Sequence, residues 1–358
     1  MKAYLLTLIF LQSCILKSQP ANDGPYVSYT QDRILIKRVV DGEVLQTQRP
    51  LKEKQKVSVQ VTFDKVHEDW NFSVNLKSEL RNEPSTFAQA KKLFFASDIE
   101  GEFEGFRMLL ISNNVIDEKY NWTFGKGHLI LCGDLFDRGS YVPETLWLIY
   151  KLEQEAIKSG GYVHTILGNH DIMNLSGDFR YAVSKYASTA KAFGVDQLAL
   201  YDKTTELGRW LRTKNTIEKI GDNLCAHAGI SPQITQLHLP LQVINDRCRP
   251  YYDKAKMMNG VADPTSDIFF KAETSLFWYR GYFMDPKVAV SFVDSTLAEY
   301  NVKRIVVGHT IVNENINFYY DKKVLGLDVN QHAGRHQAVL NTGEKWFRVN
   351  DKGETQQL

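Results

Sequence analysis

Residues 129–139 read Leu-Ile-Leu-Cys-Gly-Asp-Leu-Phe-Asp-Arg-Gly. Four apolar residues lead into a loop that carries two carboxylates and a guanidinium between two glycines. So short an apolar run reads as a strand buried on both faces, and charge just beyond it stands where α/β proteins gather reactive groups. The same grammar recurs on either side. Leu93 to Ala96 is followed by Asp98-Ile99-Glu100-Gly101, and Tyr162 to Leu167 by Gly168-Asn169-His170-Asp171. Asn223 to Ala226 is followed by His227-Ala228-Gly229, and Arg304 to Val307 by Gly308-His309-Thr310. A lone Asp after a strand is ordinary loop chemistry, but five successive strand ends each deliver a metal-ligand type. Carboxylate and carboxamide oxygens with imidazole nitrogens suit a hard to borderline two-metal site, in which a shared carboxylate holds the ions about 3.5 to 4 Å apart.

Between the runs lie helical patterns. Phe103, Phe106, Leu109 and Leu110 share a face within residues 102–113, and Ser140 or Tyr141 caps an amphipathic stretch that holds Pro143 and ends at Lys158 before Gly160-Gly161. Strands alternating with helices predict an α/β layered core.

The whole chain has 358 residues, 43% of them hydrophobic and 24% charged, enough for a large globular core. Its 43 Lys and Arg against 42 Asp and Glu leave a net charge of +1, without the basic surplus that displaces phosphate counterions, so nucleic acid is excluded as an expected partner. Cysteines at 14, 132, 225 and 248 form neither a CxxC pair nor a regular framework.

Residues 1–19 read as an export signal, because Lys2 precedes a largely apolar run from Ala3 to Leu16 that is too short to span a bilayer. Within it, Leu11-Gln12-Ser13-Cys14 resembles a bacterial lipobox, with cleavage near Ser18 or Gln19 as the alternative. The expected location is therefore the bacterial periplasm or outer envelope, with membrane contact through a lipid on Cys14, or a soluble secreted form. Residues 22–88 read as a small β module: Asp32 to Val39 and Glu43 to Arg49 flank the turn pair Asp41-Gly42, and Lys56 to Val61 alternates with period two.

GDLFDRG followed by GNHD, then the isolated His227 and the Gly308-His309 pair, resembles the calcineurin-like metallophosphoesterases. Ile172 to Tyr181 and Phe277 to Tyr282 narrow the likeness to the Shewanella-like protein phosphatases within the phosphoprotein phosphatase branch. The resemblance covers roughly residues 88–345. It implies a two-sheet α/β sandwich flanked by helices over 89–358, with helical cap insertions at about 172–222 and 238–300. It further implies two divalent ions, the first held by Asp98 and Glu100, the second by Asn169, His227 and His309, with Asp134 shared. The family places His where Glu100 stands, and a hard charged oxygen in place of a nitrogen favours manganese or iron, with magnesium or zinc as alternatives. A water shared by two cations loses a proton near neutral pH and attacks phosphorus. By the same resemblance Arg138, Arg280 and Arg180 are candidates to hold the phosphate, Arg180 having a structural ion pair as its alternative role. His170 becomes the general acid, steadied by Asp137.

The expected activity is metal-dependent hydrolysis of phosphomonoesters, with a phosphorylated protein or a small phosphoester as substrate. Alternatives are a nucleotide or dinucleoside polyphosphate hydrolase and a non-catalytic binding lipoprotein. Tyr181, Tyr186, Trp278, Tyr279 and Tyr282 are expected either to wall the pocket or to fill the core. His332 and His336 are expected in surface or core packing, since Gly334 between them argues against a ligand helix. His128, His164, Cys132 and Cys225 are expected to be structural.

Overall fold

The computed structural model describes residues 22–255 and 260–358; residues 1–19, read above as a leader, lie outside them. An antiparallel meander opens the described chain: β1 (Asp23–Tyr29), β2 (Arg33–Val40) and β3 (Glu43–Pro50). Asp41 and Gly42 both take positive φ, 49° and 83°, the geometry of a tight hairpin turn. β4 (Ser58–Val61) and β5 (Phe72–Asn75) form a second hairpin, in which Val59 and Val61 are buried and Ser58 and Gln60 exposed, as the period-two pattern requires.

Two six-stranded sheets follow. Their strands are β6 (Thr86–Phe87), β7 (Leu93–Ala96), β8 (His128–Cys132), β9 (Tyr162–Ile166), β10 (Ile217–Ile220), β11 (Asn223–Ala226), β12 (Arg304–Val307), β13 (Asn317–Tyr319), β14 (Val324–Gly326), β15 (Gln337–Thr342), β16 (Lys345–Asn350) and β17 (Thr355–Gln357). One sheet runs β17-β16-β15-β7-β8-β9, with β7, β8 and β9 parallel. The other runs β13-β14-β12-β11-β10-β6, with β11, β12 and β14 parallel. Alternate side chains go to opposite sides. Leu93, Phe95, Ile130, Cys132, Ile166, Cys225, Val306 and Val339 pack together between the sheets, while Phe94, Ala96, Leu129 and Leu131 join the larger core under the helices. Burial on both faces explains why these strands are unbroken apolar runs.

Five helices matter for the site and its supports: α1 (Phe103–Ser112), α2 (Val142–Lys158), α3 (Asn169–Ser176), α4 (Ser184–Phe193) and α5 (Glu206–Leu211). Tyr141 caps α2, Pro143 sits in its first turn, and Gly160 beyond its end has φ 77°.

Two expected boundaries shift. β10 lies inside the span 172–222 and belongs to a main sheet, so the first helical insertion ends before residue 217. β6 lies inside 22–88 and pairs in parallel with β10, so the N-terminal segment hands its last strand to a main sheet. The rest of that segment is fastened by buried polar contacts. Trp147 Nε1 donates to the Pro25 carbonyl at 2.8 Å. The buried Glu206 carboxylate accepts from the Tyr29 hydroxyl, from Tyr150 Oη at 2.6 Å, and pairs with Lys54 Nζ at 3.2 Å. Among the described residues no helix is long and apolar enough to cross a membrane.

Candidate metal centre

The strand ends of both sheets converge on one cavity of about 480 Å³. Asp98, Glu100, Asp134, Arg138, Asn169, His170, Arg280 and His309 line it, and His227 closes it from below, its Nε2 3.1 Å from Asp134 Oδ2. The backbone makes this convergence through sharp turns. Asp98, Glu100, Asp134, Asp137, Arg138 and His309 all take φ between 49° and 74°, a region that non-glycine residues enter at a cost. Such strain, concentrated where strand turns into loop, is held by the surrounding contacts. Asp171 supplies the largest set, since its carboxylate accepts from the backbone N–H of Leu135 at 2.8 Å, Gly168 at 2.7 Å and Asp134 at 3.1 Å. Glycine is required beside two of the carboxylates. A Cβ on Gly168 would stand 2.2 Å from Asp134 Oδ1, and one on Gly308 would stand 2.4 Å from Asp98 Oδ2.

Asp134 is the hub. Its Oδ1 accepts from the His170 backbone N–H at 2.9 Å. Asp134, His227 and His309 present ligand atoms within 4.8 Å of one another, and so do Glu100, Asp134 and His170, with Asp134 common to both groups. The Asn169 carboxamide lies 2.9 Å from His227 Nε2 and 2.8 Å from His309 Nδ1. His227 Nδ1 donates to the Cys132 carbonyl at 2.7 Å, which orients its other nitrogen towards Asp134. His309 Nε2 is buried with no hydrogen-bond partner among the described residues. A shared carboxylate, an unsatisfied imidazole nitrogen and a mixed oxygen and nitrogen donor set fit a pair of divalent cations. Burial, together with the charges of His227 and Arg280, drives His309 well below its ordinary pKa and keeps it neutral, the form that ligates.

Beside the hub, His170 Nδ1 meets Asp137 Oδ2 at 2.6 Å. Burial opposes the imidazolium, yet the charge of Asp134 and the hydrogen bond and charge of Asp137 outweigh it and raise His170 to about 9. Glu100 is pushed up to about 8 by burial and by Asp98 and Asp134, against the pull of Arg138. Arg138 Nη1 contacts both Glu100 oxygens, at 2.6 and 2.7 Å. Arg280 Nη1 donates to the His309 carbonyl at 2.9 Å and to Thr310 Oγ1 at 3.1 Å.

Arg180 stands apart. It is not among the cavity-lining residues, and its guanidinium engages Asp178, just beyond the end of α3, at 3.1 and 3.2 Å. The aromatic set divides as well. The Tyr181 ring lies tilted 5.2 Å from that of His170 and the Trp278 ring 5.7 Å from that of His309, whereas Tyr186, Tyr279 and Tyr282 are buried in the core.

Two residues of the cavity region escaped the sequence reading. Asp328 lines the cavity, and burial with the charges of Asp98 and Glu100 raises its pKa well above the ordinary value. Val324-Leu325-Gly326-Leu327-Asp328 has the same run-then-ligand grammar as the five runs above, so the signal was present. His332, expected in surface or core packing, has Nδ1 3.2 Å from Glu100 Oε2. His336 instead meets Asp351 at 3.0 Å.

A profile of the calcineurin-like phosphoesterases matches residues 91–313, a span that includes all six expected ligands. Shewanella-like protein phosphatase 2 of Arabidopsis thaliana is 25% identical over 293 residues, covering 69% of this chain and 73% of its own. Shewanella-like protein phosphatase 1 of Plasmodium berghei is 27% identical over 274 residues, covering 72% and 68%. The crystal structure of a cold-active protein-tyrosine phosphatase from a psychrophilic Shewanella species superposes with a TM-score of 0.84 at 33% identity, over 94% of this chain and 99% of that one. That coverage is more than residues 89–358 make up, so the N-terminal β segment is shared with that structure, beyond the limits of the sequence resemblance. With the profile matched over more than half its length, the chain belongs to the calcineurin-like phosphoesterases, hydrolases of phosphoesters that use a pair of divalent metal ions.

Proposed function

We propose that this chain is a phosphoprotein phosphatase in which Asp98, Glu100 and Asp134 hold one divalent ion and Asp134, Asn169, His227 and His309 the other. Two ions bound there supply Lewis-acid charge and an activated nucleophile from water. Everything else falls to the side chains. Arg138 contacts Glu100 through Nη1 alone, which leaves Nε and Nη2 to take phosphoryl oxygens in the planar, two-point manner of a guanidinium. Arg280, fixed by the His309 carbonyl and Thr310, lines the same cavity from the loop before residue 290. His170, charged at neutral pH, is the proton donor to the departing oxygen, and Asp137 holds the ring in place.

One observation carries this reading: His170, held from behind by Asp137, opens into the same cavity as Asp134, Glu100 and His309 of the two ligand groups that meet at Asp134. Its rim supports a protein-borne substrate. Phe283, Met284, Ile311 and Val312 form an apolar flank, with Met284 and Ile311 each about half exposed, beside the polar floor. Such a flank suits the ring of phosphotyrosine better than the polar chain of a polyphosphate, and the two relatives and the crystal structure described above, which match over most of this chain, bear the names of protein phosphatases. The test is turnover of a phosphotyrosine peptide, a phosphoserine peptide and a dinucleoside polyphosphate after reconstitution with each of manganese, iron, magnesium and zinc. Peptide turnover should dominate; fastest hydrolysis of the dinucleoside polyphosphate would overturn the assignment.

The export reading of residues 1–19 places this chemistry outside the cytoplasm, on envelope proteins or external phosphoesters. Detergent-phase partitioning of wild type against Cys14→Ala tests the lipid anchor. Aqueous partitioning of both, with a mature N-terminus beyond Gln19, would replace it with a soluble secreted form.

A further inference from the structure

Where the resemblance leads one to expect a histidine stands Glu100, so the ligands it assigns to the first metal position, Asp98, Glu100 and Asp134, are all carboxylates, with the ring of His170 beside them and Asp328 lining the same cavity. An imidazole nevertheless reaches this place from a distant part of the chain. His332 sits in a short turn, Gln331–Ala333, which Gly334, at φ 82°, ends by swinging the backbone towards β15. Its Nδ1 lies 3.2 Å from Glu100 Oε2. Two ligand atoms at right angles around an ion, each about 2.1 Å from it, are about 3.0 Å apart, so the observed spacing matches neighbouring corners of one coordination shell.

The turn is also fastened to the site. Gln331 is buried, and its Nε2 donates to the Ser97 carbonyl at 2.7 Å, one residue before Asp98. The segment that carries His332 is thereby tied to the strand end that carries Asp98. Because imidazole is a neutral ligand, it adds a donor without adding to the negative charge already gathered there.

We propose that His332 is a further ligand of the first metal position, restoring through the 331–333 turn the imidazole that Glu100 replaces in the Asp-x-His block. This rests on the two-metal reading above. The competing account is that His332 only donates a hydrogen bond to Glu100.

Calorimetric titration of manganese into chelator-treated full-length protein separates the two. Wild type should take up two ions. His332→Ala should weaken one of the two binding steps by more than about 100-fold, beyond the usual effect of losing an orienting partner, and leave the other unchanged. His332→Gln keeps an N–H donor for Glu100 but loses the imidazole, so it should behave like the alanine variant. The thermal midpoint in chelator should match wild type for each variant, because His332 is more than one-third exposed on a surface turn. Wild-type affinity in His332→Ala, or in His332→Gln alone, would overturn the ligand role while leaving the metal centre standing. A wild-type protein that binds no divalent ion would overturn both.

Discussion

His170 Nδ1 stands 2.6 Å from Asp137 Oδ2, and Asn174 Nδ2 holds the other carboxylate oxygen at 2.7 Å. Asp137 is therefore fixed on both sides before it meets the imidazole, and the ring cannot rotate without breaking a buried, charge-assisted contact. His170→Ala should cost about 10² to 10⁴ in turnover of a phosphoserine peptide while metal content stays near native. On p-nitrophenyl phosphate, whose leaving group departs without a proton, the loss should be far smaller. Equal losses on both substrates would remove His170 from the role of acid.

The same pair sets the alkaline limit. An acid is lost as pH rises through its pKa, and Asp137 raises that of His170 by its hydrogen bond and charge, so kcat/KM should fall on the alkaline side. Asp137→Asn removes a charge and an acceptor that raise the pKa, and the alkaline limb should move down by about 1 unit or more. A pH profile that keeps its position in the variant would assign the limb to another group.

Asp134→Asn should lower metal content and reduce turnover by at least about 10³-fold, because the shared carboxylate loses the charge that holds two cations together. Metal analysis after gel filtration, alongside turnover, checks both parts. Full activity in this variant would sink the ligand assignment.

At the first position, three carboxylate donors favour manganese or iron over zinc. Reconstitution of the apo protein should therefore give the highest turnover with one of those two ions, and Glu100→His should shift the preference towards zinc. Highest native turnover with zinc would contradict the argument from ligand hardness.

Away from the site, His128 Nδ1 lies 2.9 Å from His164 Nε2, and His164 Nδ1 meets Glu218 at 2.7 Å. Burial and the charge of His164 lower His128 from its ordinary range to about 4. The unfolded chain then binds this proton more tightly than the folded one, so the contribution is complete above the unfolded value and drains away as pH falls through the folded value. Urea unfolding from about pH 7 to pH 4 should show a shallower acid decline for His128→Gln than for wild type. Parallel declines would contradict the shift.

Glu206 is wholly buried and gathers Tyr29, Tyr150 and Lys54. Glu206→Ala strands these donors and should cost about 3 kcal/mol of unfolding free energy. A change below about 0.5 kcal/mol would show that water replaces the carboxylate freely.

Much of this site could be read from residue order, because each ligand follows an apolar run whose burial on both faces is legible as composition. Asp98, Asp134, His227 and His309 come to one cavity for that reason. What could not be read this way depends on reach. Arg180 sits four residues beyond the α3 helix, and whether it turns into the cavity or towards Asp178 is decided by loop geometry that carries no periodic signal. Gly334 argues against a ligand helix through His332, and the ring sits instead in a three-residue turn that carries no periodic signal. Asp328 followed the readable rule but stands after a strand of three residues, too short to stand out from its surroundings.

On α2, Trp147, Tyr150 and Gln154 share one stripe, and each is hydrogen-bonded to the N-terminal segment, to Pro25, Lys77 and Asn75 respectively, while the helix also packs against β9 of the main sheet. The helix therefore has protein on both flanks, and the segment before residue 89 is its second wall. A shortened protein that starts at residue 89 would bare Trp147 and Tyr150 to water and lose β6 from its sheet. The segment before residue 89 is thus part of the same folding unit as the domain that carries the site, and truncation there should yield aggregate in place of a smaller enzyme.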